Sequence, residues 1–472
     1  MSRVVVVGGG LGGLACAAQV ARAGHTVTLL EAASHLGGKS KRVVLDGQRI
    51  DTGPSLFTFP GVWDELLRRL DALDTAPPSA AAIASLRLLR LPEVGRYHHQ
   101  GNVTSLPVPT GHPWHEAWVR FTNVHGGLGP QVTTLLTADP LDRRTLPSLL
   151  STYGTKLTTK SYLDSLRWLP DGLRDVLAIH TLNAGVAPHR TAALYASMPA
   201  IMATDGVYVP DGGVYELVLA LVRLCQHAGV SLHTNERVTA VGQGAVRTAD
   251  REHPADIVVS NIDDERMRAL LAPDEPIKPQ AMSCSAIALY AALREELPAS
   301  VATHAVVLPD DPLALYQRLE AGDEPAQTMA FVNCYRPGEI YPNERGTLAL
   351  LLTAPANGNP YTLDDPLVVR EIERVSRVLG LDRSLTSYFG AHTILHPRSY
   401  AEGGASGGSL YGAVRPFWQS GPFHRPRYCD AARPWLWRVG ASVHPGGGMP
   451  AVLAGALAST ARLLRRLGRA TR

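Results

Sequence analysis

No pair or cluster of cysteine and histidine at metal-ligand spacing occurs in this sequence, and its five cysteines (Cys16, Cys225, Cys284, Cys334 and Cys429) are odd in number and widely scattered. That pattern excludes a zinc module and a disulfide framework, and implies a reducing, cytoplasmic setting with no metal. No apolar run approaches the roughly 20 residues that a membrane span needs. Charge is sparse: Asp, Glu, Lys and Arg make up 18% of the chain and the formal net charge is only +3. No Lys/Arg run precedes the last few turns of the chain, so a nucleic-acid partner is not expected. The first two dozen residues do not read as a secretion leader, because Arg3 is their one early basic residue and five glycines interrupt the apolar stretch.

What is abundant is apolar and flexible. Hydrophobic residues account for 45% of 472 positions, enough for a folded protein of several domains or one bipartite enzyme. The 44 glycines are placed where they carry information. Arg3 to Val7 is a β-branched run suited to a buried parallel strand. Gly8, Gly10 and Gly13 follow as GxGxxG, with Leu11 and Gly12 inside the motif, and a helical pattern then runs to Gly24. A second strand from Thr26 to Leu30 ends in Glu31. Strand, tight turn, helix, strand and acid in this order predict a dinucleotide site. Gly8 makes the turn, Gly10 admits a pyrophosphate, Gly13 lets helix and strand pack closely, and Glu31 accepts hydrogen bonds from a ribose. Glu31 alone does not separate FAD from NAD.

Farther along, Trp63 to Ala72 reads as a helix, and the Pro- and Ala-rich stretch from Asp74 to Leu86 as a crossing out of the nucleotide domain. Gly212 and Gly213 open a helix with Leu217, Leu221 and Leu224 on one face, ended by Gly229 and followed by a strand. Ala255 to Asp263 is another strand of the same parallel sheet. Four strand-like runs between Met282 and Tyr428 predict a mostly antiparallel sheet. The chain then repeats strand, glycine-rich loop and helix near its end, around "VGASVHPGGGMPAVLAGA". That loop lacks GxGxxG spacing, so it is not a second nucleotide site. Gly446 to Gly448 let backbone approach a flat ring, and Pro450 suits a first helical turn. The helix start would aim its positive end at developing negative charge. On the last helix, Leu453, Leu457, Thr460, Leu464 and Leu467 share one face, with Arg462, Arg465, Arg466 and Arg469 opposite.

"HLGGKSKR" (His35 to Arg42) and "IDTGPSLF" (Ile50 to Phe57) resemble elements of the amine-oxidase-like flavoproteins. The C-terminal stretch, with "HTLNAGVAPHRTAALYASMP", "ADIVVSNID" and "SCSAIALYAAL", resembles the bacterial carotenoid desaturases of the phytoene-desaturase type, in order along nearly the whole chain. Ala441 stands where many of the wider superfamily carry an acid, as in those desaturases; Ala451 departs from their usual glycine. The resemblance implies an α/β fold, with a Rossmann-like FAD-binding domain built from discontinuous segments (1–80, 206–275 and 431–472). A substrate domain would comprise a helical, membrane-facing region (81–205) and a mixed or antiparallel sheet (276–430). It implies FAD contacts from Gly8, Gly10, Leu11, Gly12, Gly13, Glu31, Gly38, Lys39, Gly53, Pro54, Ser55, Val238, Gly440, Ala441, Gly448 and Met449.

The activity implied is hydride transfer from a saturated C–C bond of a carotenoid or other isoprenoid to the flavin, which then passes electrons to oxygen or a quinone. The enzyme would be cytoplasmic and peripheral to the cell membrane. The substrate is either phytoene-like or a hydroxylated carotenoid, and "DTGPSLFTFPGVWDEL" leans towards the second. No catalytic base is assigned. His444 reads as a structural or flavin-contacting residue, and His180, His189 and Arg190 as channel-lining or surface residues. Two alternatives remain: a flavin-free prenyl-binding protein like the GDP-dissociation inhibitors, or an amine oxidase. The intact glycine loop opposes the first, and the lack of an aromatic pair near it opposes the second.

Overall fold

The computed structural model describes residues 1–74, 76–138, 146–273, 280–414 and 428–468. Arg469, expected on the basic face of the last helix, lies outside them.

The four valines after Arg3 form strand β1 (Arg3–Val7), and each is nearly fully buried. Val4 and Val6 point into one core and Val5 and Val7 into another. Only a strand covered on both faces has use for four consecutive β-branched residues, and each buried valine contributes roughly 1.5–3 kcal/mol. Helix α1 (Leu11–Arg22) is buried along its whole length, which explains its run of alanines and glycines. Strand β2 (Thr26–Leu30) pairs parallel to β1. Strands from far along the chain complete the sheet, whose order is Leu436–Arg438, Ile257–Ser260, β1, β2, Ser231–His233, all parallel. Helix Tyr215–His227 and the C-terminal helix Met449–Leu467 pack against α1 in one core. Leu453, Leu457 and Thr460 of the last helix are buried there, while Arg465 and Arg466 are exposed.

A three-stranded antiparallel sheet (Val238–Gly242, Gly244–Thr248 and Glu252–Ala255) covers the other face with Val246.

The second large sheet has seven strands, in the order Phe389–Leu395, Ser285–Leu293, Thr347–Ala354, Ala330–Tyr335, His304–Val307, Gly95–His99, Asn102–Leu106. All neighbours are antiparallel except His304–Val307 beside Gly95–His99. The last two strands come from the stretch 81–205, which is therefore not helical throughout; after the short helix Ala80–Ile83 its helices resume at His115 and form a separate core around Trp118, Phe121 and Leu173. One face of the sheet packs on helix Pro366–Val378. The other face forms rows defined by the register. One row is Tyr97, Val306, Phe331, Leu351, Ala288 and Leu395; the next is His304, Asn333, Ala349, Tyr290 and Thr393. These rows carry no Lys, Arg, Asp or Glu.

Candidate functional site

The turn out of β1 is made by Gly8, whose φ of +102° suits glycine, and it delivers Gly10 to the start of α1. Gly10 holds extended backbone (φ −72°, ψ 174°); no side chain caps the helix and its first turn contains no acid. A helix start left in this state offers its orphan N–H groups and positive dipole end to an anion. A β-carbon on Gly13 would stand 2.2 Å from the Gly8 carbonyl oxygen, so helix and turn are in backbone contact.

At the lip of this loop, Glu31 Oε2 accepts the Gly9 N–H at 2.7 Å and Oε1 accepts the Ala33 N–H at 2.8 Å. The carboxylate is thus fixed in orientation and keeps acceptor capacity for a hydroxyl. The segment before Val238 is tied to the same place, since the Glu236 N–H donates to the Glu31 carbonyl at 2.8 Å and the Asn235 N–H to Ala33 at 2.9 Å.

The second glycine pair closes the loop from the side. The Gly37 N–H donates to the Gly9 carbonyl at 2.8 Å, and a β-carbon on Gly38 would lie 3.2 Å from Gly10 Cα. Lys39 donates from Nζ to the carbonyls of Ser409 and Leu410 at 2.8 and 2.9 Å, tying this element to a loop that follows strand Phe389–Leu395 of the seven-stranded sheet. Burial lowers its pKa from the usual lysine value, with Asp263 opposing. Arg42, three residues on, bonds Asp51 (2.7 Å) and Glu216 (2.9 Å), although burial still pushes the Asp51 carboxyl up.

The chain's two ends meet at Gly12 and Gly440. A β-carbon on Gly12 would lie 3.0 Å from the Gly440 nitrogen and 2.7 Å from Asn261 Oδ1. Asn261 Nδ2 donates to the Gly8 carbonyl at 3.1 Å, so one amide braces both segments. Ala441 follows, with its Cβ 3.6 Å from where a Gly412 β-carbon would be. In the next loop a β-carbon on Gly447 would stand 2.6 Å from Tyr411 Cα, so only glycine fits there. Among the described residues, a β-carbon on Gly446 would meet nothing within 4 Å, and one on Gly448 only the Asn183 carbonyl at 3.9 Å. Met449 then opens the last helix, again without a side-chain cap.

The Gly53–Ser55 loop is held from the aromatic face of the seven-stranded sheet. The Gly53 N–H donates to the Tyr290 hydroxyl at 3.0 Å, and the Tyr335 hydroxyl donates to the Ser55 carbonyl at 3.3 Å. Pro54 lies between them.

An uncapped helix start, a fixed acid and a bare glycine loop at the meeting point of both termini fit a dinucleotide carrying a flat ring. The chain matches the profile of the family described as flavin containing amine oxidoreductase over residues 11–288. It belongs to that family. This flavin amine oxidoreductase is 24% identical to 4,4'-diapophytoene desaturase (4,4'-diaponeurosporene-forming) of Staphylococcus aureus strain Newman, across 99% of both chains. Among solved structures its fold is similar to a triple mutant of putrescine oxidase (TM-score 0.64, 15% identity, covering 98% of this chain and 99% of that one). It is also similar to cyclohexylamine oxidase from Brevibacterium oxydans (TM-score 0.59, 14% identity, covering 99% and 100%). The protein is thus a flavin-dependent oxidoreductase of mixed α/β fold, resembling bacterial carotenoid desaturases along its length.

Other residues singled out in the sequence fall elsewhere. His189 and Arg190 are not in a channel: both lie at the surface, 3.3 and 3.9 Å from Glu320. His180 is buried, bonded through Nε2 to the Tyr97 hydroxyl at 2.9 Å, and burial pushes its pKa down to about 4. His444 is buried, and its carbonyl accepts from the Tyr428 hydroxyl at 3.1 Å. Sequence reasoning missed Asn261, Tyr290 and Tyr335. For Asn261 a signal existed, because it follows the carboxyl end of a parallel strand, where ligands of such sheets bind.

Proposed function

We propose that this protein is an FAD-dependent carotenoid desaturase. The observation that carries the reading is the buried, uncharged floor formed by the seven-stranded sheet, whose tyrosines reach the same Gly53–Ser55 loop that closes on the glycine-rich site. A long hydrocarbon needs such a floor, whereas a buried ammonium substrate would need a carboxylate among these rows, which carry none. The full-length likeness to a diapophytoene desaturase supports it.

The adenosine half would lie across α1, with Glu31 on its ribose and Val238 nearby; Gly440, Ala441, Gly448 and Met449 would serve the ring half. Flavin, when bound, would supply a two-electron acceptor for a hydride leaving one carbon of a saturated C–C bond, while the neighbouring carbon gives up a proton and the C–H electron pair left there forms the C=C bond. The chain's part is to hold that bond beside the Gly446–Gly448 loop and to exclude water with the cover around Trp118 and Leu173. The positive end of the last helix favours negative charge on whatever the loop holds.

No helix among the described residues is long and apolar enough to cross a membrane. Val119, Val124, Leu150 and Leu157 are exposed on the helical cover, which supports peripheral contact with a bilayer, the only reservoir of so insoluble a substrate. Oxygen or a membrane quinone would reoxidise the cofactor.

The test is expression in a host accumulating acyclic carotenes, with pigment extraction, together with identification of the flavin released from purified protein. Longer conjugated pigments and released FAD are expected. Flavin-replete protein that alters no acyclic carotene would refute the proposal.

A further inference from the structure

A desaturation releases a proton as well as a hydride, and the rows of the sheet floor carry no carboxylate to take it. Two side chains beside the C-terminal glycine loop are unsuited to the task. Lys39 Nζ already donates to two carbonyls. Tyr411, whose Cα lies against Gly447, keeps its own proton, because burial raises its hydroxyl pKa above the usual tyrosine value.

His180 is placed differently. It belongs to the 3-10 turn Ile179–Ala184 and is 7% exposed. On one side its Nε2 is 2.9 Å from the hydroxyl of Tyr97, a member of the first row of the floor. On the other its Nδ1 is 3.5 Å from Asn183 Nδ2, and the Asn183 carbonyl stands 3.9 Å from where a Gly448 β-carbon would be. Three residues of such a turn rise about 6 Å, so the imidazole lies between the floor and the edge of the glycine loop.

The two contacts differ in strength. A separation of 2.9 Å is a full hydrogen bond, whereas 3.5 Å is at the limit of one. An amide nitrogen facing Nδ1 assigns that atom as the acceptor, which leaves the ring hydrogen on Nε2, donating to the Tyr97 oxygen. The ring is thus oriented through Nε2 and presents a loosely covered lone pair at Nδ1, the arrangement of a base held by a second group. Burial pushes the His180 pKa down to about 4, so the ring starts neutral and gives up an acquired proton readily. Asn183 is exposed, which opens that side to water.

We propose that His180 Nδ1 accepts the proton released in the desaturation, with Tyr97 as its positioning residue. This rests on the desaturase reading above and adds to it the path of the proton. Hydride leaves one carbon for the flavin, and that carbon becomes electron-deficient. The adjacent C–H gives its proton to Nδ1, and its electron pair becomes the second bond of the new C=C. The imidazolium then passes the proton to water beside Asn183. Weak basicity is no handicap, because a C–H next to an electron-deficient carbon is a strong acid.

The experiment measures kcat and KM from product absorbance, using the FAD-loaded full-length enzyme and an acyclic carotene supplied in liposomes. His180→Asn should lower kcat about a hundredfold or more and leave FAD content unchanged. Tyr97→Phe, which keeps the ring and loses one hydrogen bond, should lower kcat about tenfold with KM unchanged. Deuterium at the carbon that loses the proton should slow both variants by a larger factor than wild type, an effect that a purely structural role would not produce. Should His180→Asn fail to fold, Tyr97→Phe provides the isotope comparison.

Wild-type kcat in His180→Asn, or an isotope effect in Tyr97→Phe equal to that of wild type, refutes the base while leaving the desaturase reading intact. Flavin-replete wild-type enzyme that alters no acyclic carotene refutes the desaturase reading, and the base with it.

Discussion

Replacing Gly12 by alanine tests whether the two ends of the chain close on each other at the cofactor site. Gly12 is helical, so alanine brings no backbone strain, and intrinsic helix propensity favours the change by up to ~1 kcal/mol. The opposing effect is steric. The new methyl would stand 3.0 and 3.1 Å from the Gly440 nitrogen and Cα, and 2.7 Å from Asn261 Oδ1. Gly440 is backbone, and Asn261 is pinned by its bond to the Gly8 carbonyl, so neither yields cheaply. Overpacking of this kind costs about 1–3 kcal/mol, which outweighs propensity and pushes the helix start away from the C-terminal segment. Fluorescence titration of apo-protein with FAD should show a Kd raised about tenfold, equivalent to ~1.4 kcal/mol. Gly127→Ala is the control: its β-carbon meets nothing within 4 Å, and binding should be unaffected. Gly12→Ala protein that binds FAD as tightly as wild type and melts at the same temperature would refute the contact.

Two further outcomes follow from burial. His125, His180 and His304 have pKa values pushed down to about 4 by burial, from an ordinary 6.5. The unfolded chain therefore binds more protons between these values, and stability is complete above about pH 6.5 and lost as pH falls towards 4. At pH 5 each histidine should cost about 2 kcal/mol, visible as a lower urea midpoint than at pH 7; a midpoint flat over that range would contradict the burial. Burial also raises the thiol pKa of Cys16 to about 11 and of Cys225, Cys284 and Cys334 to about 12, whereas Cys429 is only half-buried. Iodoacetamide at neutral pH should label Cys429 first, read by peptide mass spectrometry, and rapid labelling of any of the other four would argue against the packing.

The parts of the site legible in the sequence were those specified within a few residues. Gly8, Gly10, Gly13 and Glu31 announce a turn, a helix start and an acid by spacing alone, and the unbroken apolar runs on either side mark a strand and a helix buried on all sides. The glycine requirement of the Gly446–Gly448 loop was legible too, and at Gly447 the Tyr411 backbone enforces it. What was not legible depends on partners hundreds of positions away. Strands Gly95–His99 and Asn102–Leu106 join a sheet whose other members begin at Ser285, and nothing local to them announces the pairing. The Tyr97–His180 contact joins residues 83 positions apart, and Asn261 acquires its role only where Gly8, Gly12 and Gly440 converge. For His189 and Arg190 the sequence left channel-lining and surface roles equally open, and only Glu320 on a separate helix shows them at the surface.

The order of strands in the parallel sheet has a consequence for biogenesis. β1 and β2 are translated well before the strands that flank them, Ile257–Ser260 beside β1 and Ser231–His233 beside β2, and Leu436–Arg438, which pairs with Ile257–Ser260, follows later still. Until then the valines of β1 lack their second cover and the glycine loop lacks its C-terminal wall. Cofactor capture is thereby deferred until the helix Met449–Leu467 has been made, and a nascent chain halted before that helix would expose sticky apolar surface to chaperones.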